Sequence, residues 1–198
     1  MDKKAIQRRR MMGYFINAAK EIIEEEGINA LSVRKVGDRA GYSYATIYNY
    51  FKDLNTLLFY CIADYLDECY EYIINSLDES ADCKERIFLM ITAYVEYFVK
   101  NRNQFQLIFI EDLGEPPKEI YEKICRPSVG FLLNEAMADY ANKGYIEFKD
   151  VEMLSDLIAA SVHGKLLFYL KGRTSIDINK ILEILNKELE FLLNKKSL

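Results

Sequence analysis

Apolar positions along the first sixty residues fall at steps of three and four. Met12, Phe15, Ile16, Ala19, Ile22 and Ile23 share one helical face, and Gly27 supplies the residue that turns left-handed and stops the helix. A first helix over about 8–26 is predicted. Ser32 stands where an N-cap belongs, ahead of Val33, Val36 and Ala40, and Gly41 closes that two-turn helix. After the short connection Gly41-Tyr42-Ser43, Ser43 is placed to cap a third helix carrying Ile47 and Phe51, and Asp53 a fourth that begins near Leu54 and runs toward Ser76. Helical periodicity continues over about 83–100, 103–113, 117–142 (broken or kinked at Pro127), 151–172 and 177–195. Asp82, Asp150 and Asp177 fall at helix starts as caps or first-turn acids, and Gly114, Gly144 and Gly172 fall at ends. Strand alternation is confined to residues 145–148, and no repeat of 20–50 residues is visible. The pattern predicts an all-α chain of about nine helices, with a head over 1–55 and a body over 56–198.

Composition agrees with that picture. In 198 residues, 51% hydrophobic side chains suffice for a core, while three prolines and nine glycines leave little material for linkers. The net charge of −5 excludes a protein that coats nucleic acid with an overall basic surface, but the charge is unevenly spread. Up to Asn55, ten basic side chains face seven acids; beyond it, 16 face 24. A small basic head therefore precedes an acidic body. Cys61, Cys69, Cys83 and Cys125 match no metal or disulfide spacing, so a reduced, cytoplasmic chain is expected. The basic start, Lys3 to Arg10, leads into no signal-type apolar region, and no run of eighteen uninterrupted apolar residues follows, so no membrane span or membrane partner is expected.

Two short helices joined by a three-residue, glycine-containing turn form a helix-turn-helix, here about 32–51, whose second helix is offered to the major groove. With Ile47 and Phe51 facing the core, Tyr44, Ala45, Thr46, Tyr48, Asn49 and Tyr50 divide between the groove and its phosphate walls. Hydroxyls donate to phosphates, an asparagine amide reads adenine, and Ala45 or the Thr46 methyl touches a thymine methyl. The block Leu31–Phe51, with Ala18-Ala19, Gly27 and the Thr46–Phe51 sequence TIYNYF, closely resembles the DNA-binding head of the TetR (tetracycline-repressor-like) regulators over roughly residues 8–60. The resemblance implies phosphate contacts from Ser32, Arg34, Tyr48 and Tyr50, and base-edge positions for Tyr44, Ala45, Thr46 and Asn49, with Ser43 opening the same surface. Where the family commonly carries Lys-Glu at the start of the fourth helix, this chain has Leu54-Asn55; Lys52 is the candidate replacement for the missing phosphate contact. The basic arm Lys3–Arg10 is a further candidate for phosphate or minor-groove contacts.

For the body, the resemblance implies a homodimer through the last two helices, for which Leu157, Ala160, Gly164, Phe168, Ile181, Leu185 and Leu189 are the candidate interface. Small residues there permit close helix approach. It also implies a small-molecule effector. Fifteen tyrosines and eleven phenylalanines suggest an apolar or aromatic one, and Tyr94, Tyr97, Phe98, Phe105, Phe109, Phe131, His163 and Tyr169 are the candidate pocket. One histidine excludes two-histidine metal sites, and no GxSxG, Walker or GxGxxG pattern occurs, so neither catalytic residues nor a metal or cofactor is expected. The expected function is a sequence-specific regulator, most readily a repressor, on a near-palindromic double-stranded operator. A helical protein-interaction module without DNA affinity is the alternative; salt-dependent DNA binding separates the two.

Overall fold

The computed structural model describes residues 3–78, 80–126 and 128–194. Among these, ten α-helices and three short 3-10 turns occur and no strand. They are α1 (Lys3–Glu26), α2 (Val33–Ala40), α3 (Tyr44–Ile47), α4 (Leu54–Asn75), α5 (Cys83–Lys100), α6 (Arg102–Phe109), α7 (Tyr121–Cys125), α8 (Ser128–Asn142), α9 (Val151–Leu170) and α10 (Ile178–Leu193).

Several boundaries differ from the sequence expectation. Helix α1 begins at Lys3, because the Lys-Lys-Ala-Ile-Gln-Arg-Arg-Arg stretch contains only residues that tolerate or favour helix and no breaker. The segment over 117–142 divides into a 3-10 turn at Lys118–Ile120, α7 and α8; Pro127 lies outside the described residues. Residues 145–148 lead into the 3-10 turn Phe148–Asp150 rather than a strand. The caps at Ser32, Asp53, Asp82 and Asp177 each accept a backbone N–H, from Lys35, Thr56, Lys84 with Glu85, and Lys180. Asp150 makes no such bond; it closes the preceding 3-10 turn with helical backbone angles, leaving its carboxylate only the favourable end of the α9 dipole.

The compact units do not divide at 55/56. One comprises Met1–Asp67 with Asn101–Pro127, the other Glu68–Lys100 with Ser128–Leu198. The first unit needs more than the head because its core is filled from later elements. Phe15, Ile22, Ile23, Val36, Ile47 and Phe51 pack in one cluster with Leu57, Cys61 and Tyr65 of α4 and Leu107 of α6, all essentially without solvent exposure. In the second unit, Ile87 and Val95 of α5, Met137 of α8, Leu166 of α9 and Leu185 of α10 are the corresponding buried side chains. Cys61, Cys69 and Cys83 are buried free thiols, and Cys125 is exposed.

One stretch, Phe148–Leu170, is long and apolar enough to cross a membrane by length and composition, contrary to the expectation that none is. Its apolar residues form no uninterrupted run of that length, because Lys149, Asp150, Glu152, Ser155, Asp156, Ser161, His163 and Lys165 punctuate it. Of an apolar eighteen-residue window within it, 28% is buried within the chain, and Met153, Leu157 and Phe168 leave apolar surface on α9 that the protomer does not cover.

Candidate nucleic-acid interface

The interface is set by the corner between α2 and α3. Gly41 takes a left-handed φ of 77° that a Cβ would strain, and the Tyr42 N–H reaches the Gly37 carbonyl at 2.9 Å, closing a Schellman-type end to α2. A Cβ on Gly37 would lie 2.9 Å from the Tyr42 carbonyl oxygen and 3.0 Å from Tyr44 backbone atoms. Backbone passes backbone there, and only glycine fits.

Helix α3 is shorter than expected. Four residues are α-helical, and the turn closes with tighter bonds from Asn49 N–H to the Thr46 carbonyl and from Tyr50 N–H to the Ile47 carbonyl. Ile47 and Phe51 lie in the core as predicted, at 1% exposure each. The Ser43 hydroxyl makes no cap to backbone; it pairs with the Thr46 hydroxyl at 2.9 Å. Around that pair Tyr44, Ala45, Tyr48 and Asn49 are exposed, the two tyrosines by more than half. Ser32, Arg34 and Lys52 are exposed as well, and Arg34 and Lys52 have no ion-pair partner among the described residues.

Tyr50 departs from its assignment to phosphate. It is half-buried, its ring 5.9 Å from Phe15 and beneath the Arg8 guanidinium at 5.3 Å, so it faces α1. Leu54 packs against the head core and the Asn55 amide donates to the Leu113 carbonyl, so neither residue stands in for the family's lysine. Hydrogen bonds from the Thr56 N–H and hydroxyl hold the Asp53 carboxyl below the usual carboxylate range.

Three acids near the end of α1 are matched locally. Arg39 pairs with Glu21 at 3.3 Å and Glu25 at 3.0 Å, and Lys35 with Glu26, tying α2 to the end of α1. The acidic run that would repel a phosphate backbone is thereby screened by two cations, while Arg9, Arg10, Arg34 and Lys52 stay exposed.

The candidate pocket residues do not gather into one described cavity. In the first unit, Phe105 is buried and contacts Phe109 at 5.0 Å, and Phe109 lines an open apolar cleft of about 340 Å³ with Phe59, Ile62, Leu66 and Ile108. In the second, Tyr94, Tyr97 and Phe98 pack edge-on at 4.9–5.1 Å, and the Tyr94 hydroxyl bonds His163 Nε2 at 2.6 Å. Burial raises the Tyr94 phenol well above its ordinary value and lowers the His163 imidazole, so both stay neutral. Phe131 is 57% exposed on α8, and Tyr169 is half-buried on α9.

The candidate dimer residues also separate. Leu157, Ala160 and Phe168 are exposed and Gly164 is half-buried on α9. Ile181, Leu185 and Leu189 are at most 3% exposed and belong to the protomer core, a correction to their assignment. On α10 the outward apolar side chain is Phe191, at 64% exposure.

A basic-edged helix-turn-helix head joined to an all-α body defines a DNA-binding transcriptional regulator. Residues 15–61 match the model of the bacterial regulatory proteins of the tetR family. It is 25% identical over 186 residues to the fatty acid metabolism regulator protein of Bacillus subtilis (strain 168), covering 90% of this chain and 95% of that one. The crystal structure of the transcriptional regulator FadR from Bacillus subtilis in complex with stearoyl-CoA superposes with a TM-score of 0.69 at 24% identity, covering 91% of this chain and 97% of that one. The fatty acid degradation regulator FadR from Bacillus halodurans gives 0.69 at 19% identity, over 92% and 94% of the two chains.

Proposed function

We propose that the protein is a homodimeric repressor of a near-palindromic operator, released by a long-chain acyl-CoA thioester. Tyr44, Ala45, Thr46 and Asn49 meet base edges, while Ser32, Arg34, Ser43, Tyr48 and Lys52 meet phosphates, Lys52 in place of the family's lysine. The observation that carries the DNA reading is the exposed face of α3 beside Arg34 and Lys52, which have no ion-pair partner among the described residues, with Glu21, Glu25 and Glu26 already matched. Two protomers hold their α3 helices one duplex turn apart, about 34–36 Å, and an effector that favours another spacing releases the operator. The protein works on DNA in the cytoplasm, and its relatives are regulators rather than enzymes.

The choice of an acyl chain over a small aromatic effector is supported by the Bacillus subtilis relative, matched over nearly the whole chain, and by stearoyl-CoA in a protein of the same fold. The open apolar cleft lined by α4 and α6 suits an aliphatic segment. Fluorescence anisotropy on DNA flanking the protein's own gene tests the reading. Stearoyl-CoA is expected to release the DNA at low micromolar concentration, and free coenzyme A to leave it bound. Release by a phenol with no response to acyl-CoA would replace the effector, and tighter binding with acyl-CoA would make the protein an effector-dependent DNA binder.

A further inference from the structure

The turn that closes α3 satisfies the Thr46 and Ile47 carbonyls. Beyond that turn the chain runs directly into Phe51, and the carbonyls of Asn49 and Tyr50 accept no backbone N–H among the described residues. Both are met by one side chain forty residues earlier. Arg8 Nη1 donates to the Asn49 carbonyl at 2.9 Å and Nη2 to the Tyr50 carbonyl at 3.1 Å, with the guanidinium over the Tyr50 ring at 5.3 Å. Tyr50 in turn rests on Phe15 of α1.

We infer that Arg8 is a positioning residue for the recognition helix: it fixes the end of α3 against α1 through a two-pronged bond to the Asn49 and Tyr50 carbonyls just beyond the closing turn, and it is not a phosphate contact. The chemistry singles out arginine. A planar fork bonds two carbonyls while stacking on a ring, its charge sits at the negative end of α3, and a lysine offers one compact ammonium that cannot do both. The neighbouring cations Arg9 and Arg10 have no ion-pair partner among the described residues, so they are the ones left for DNA. Arg8 matters because a four-residue α-helix has too few bonds of its own to hold Tyr48 and Asn49 in register.

This inference rests on the operator-binding reading, and the test separates the two. Arg8→Lys, Arg8→Ala and Arg10→Ala full-length proteins are titrated against the operator fragment, a base-substituted copy and unrelated DNA, each over a salt series. A phosphate contact contributes about 0.9 to the slope of log affinity against log salt on duplex DNA, and lysine serves a phosphate nearly as well as arginine. A positioning fork predicts that Arg8→Lys and Arg8→Ala both lose about tenfold in operator affinity, discriminate less against the substituted operator and keep the wild-type salt slope and non-specific affinity. Arg10→Ala is expected to lower the slope. If Arg8→Lys keeps wild-type affinity while Arg8→Ala loses both affinity and slope, Arg8 is a phosphate contact and the inference is overturned. Unchanged binding by both Arg8 variants overturns it as well. Absence of any operator preference in the unsubstituted protein overturns the operator reading and this inference with it. Circular dichroism checks that the variants keep wild-type helicity, and Tyr50→Leu, which removes the stacking surface, is expected to reproduce part of the Arg8 effect.

Discussion

Single side chains at the helix-turn-helix corner give the sharpest expectations. Adding one methyl at Gly37 pushes backbone against backbone, so Gly37→Ala is expected to cost about 1–3 kcal/mol of stability in thermal or urea unfolding. Operator affinity falls with it. Asp53→Ala removes the cap of α4 and is expected to cost about 1 kcal/mol. Because the folded carboxyl is depressed, its contribution is complete above the unfolded pKa, near 3.9, and fades as pH falls below that through the folded value. Stability of wild type and variant should therefore converge in acid. Tyr48→Phe deletes one exposed hydroxyl and is expected to weaken operator binding by roughly fivefold with the fold intact. Asn49→Ala is expected to change the base preference at one position per half-site, read by titrating substituted operators. The caps at Ser32, Asp53, Asp82 and Asp177 were legible in the sequence because a cap is a local pattern, residue type followed by periodicity. Gly37 and Arg8 were not: one answers to a backbone approach across a turn, the other to carbonyls 41 and 42 residues away.

At the scale of elements, periodicity identified faces but not what covers them. Ile181, Leu185 and Leu189 lie four apart on α10, and the same stripe reads equally as protomer core or as an interface; burial places it in the core. Helix α1 outran its predicted start because charge, not a breaker, marked that boundary in the sequence. Helix α3 fell short of its prediction because the closing turn is tighter than α, which apolar spacing of four does not distinguish from a full helix. Within the second unit, the Tyr94–His163 bond joins α5 to α9, and burial favours the neutral imidazole there. A His pKa lowered in the folded state means the unfolded chain binds the proton more readily. Stability is then highest above about pH 6.5 and declines as pH drops below it toward the folded value. His163→Gln is expected to flatten that dependence between pH 7 and 5 in urea unfolding, and an unchanged slope would remove the histidine from this role.

For the whole molecule, the all-α class and the basic head were visible in hydrophobic spacing and charge asymmetry, whereas the compact units were not. Contiguous segments suggest contiguous domains, yet Leu107 of α6 completes the core around Phe15 and Ile47. The pocket was least legible, because Phe105, Tyr97 and Phe98 are apolar residues whose spacing is satisfied by ordinary core packing. Self-association belongs to this scale too. Phe168→Glu charges the outward face of α9 and is expected to shift the protein from dimer to monomer in light scattering at an unchanged melting temperature. Leu185→Ala empties protomer core and is expected to cost about 2–5 kcal/mol of folding stability instead.

The central claim, a dimeric head that reads DNA, is tested most directly by anisotropy titration of fragments flanking the protein's own gene, with unrelated competitor DNA and a salt series. The account predicts competitor-resistant binding of two protomers per site to at least one fragment, with affinity falling steeply as salt rises. Absence of DNA affinity for every fragment even at low salt would contradict it and leave the chain a helical interaction module.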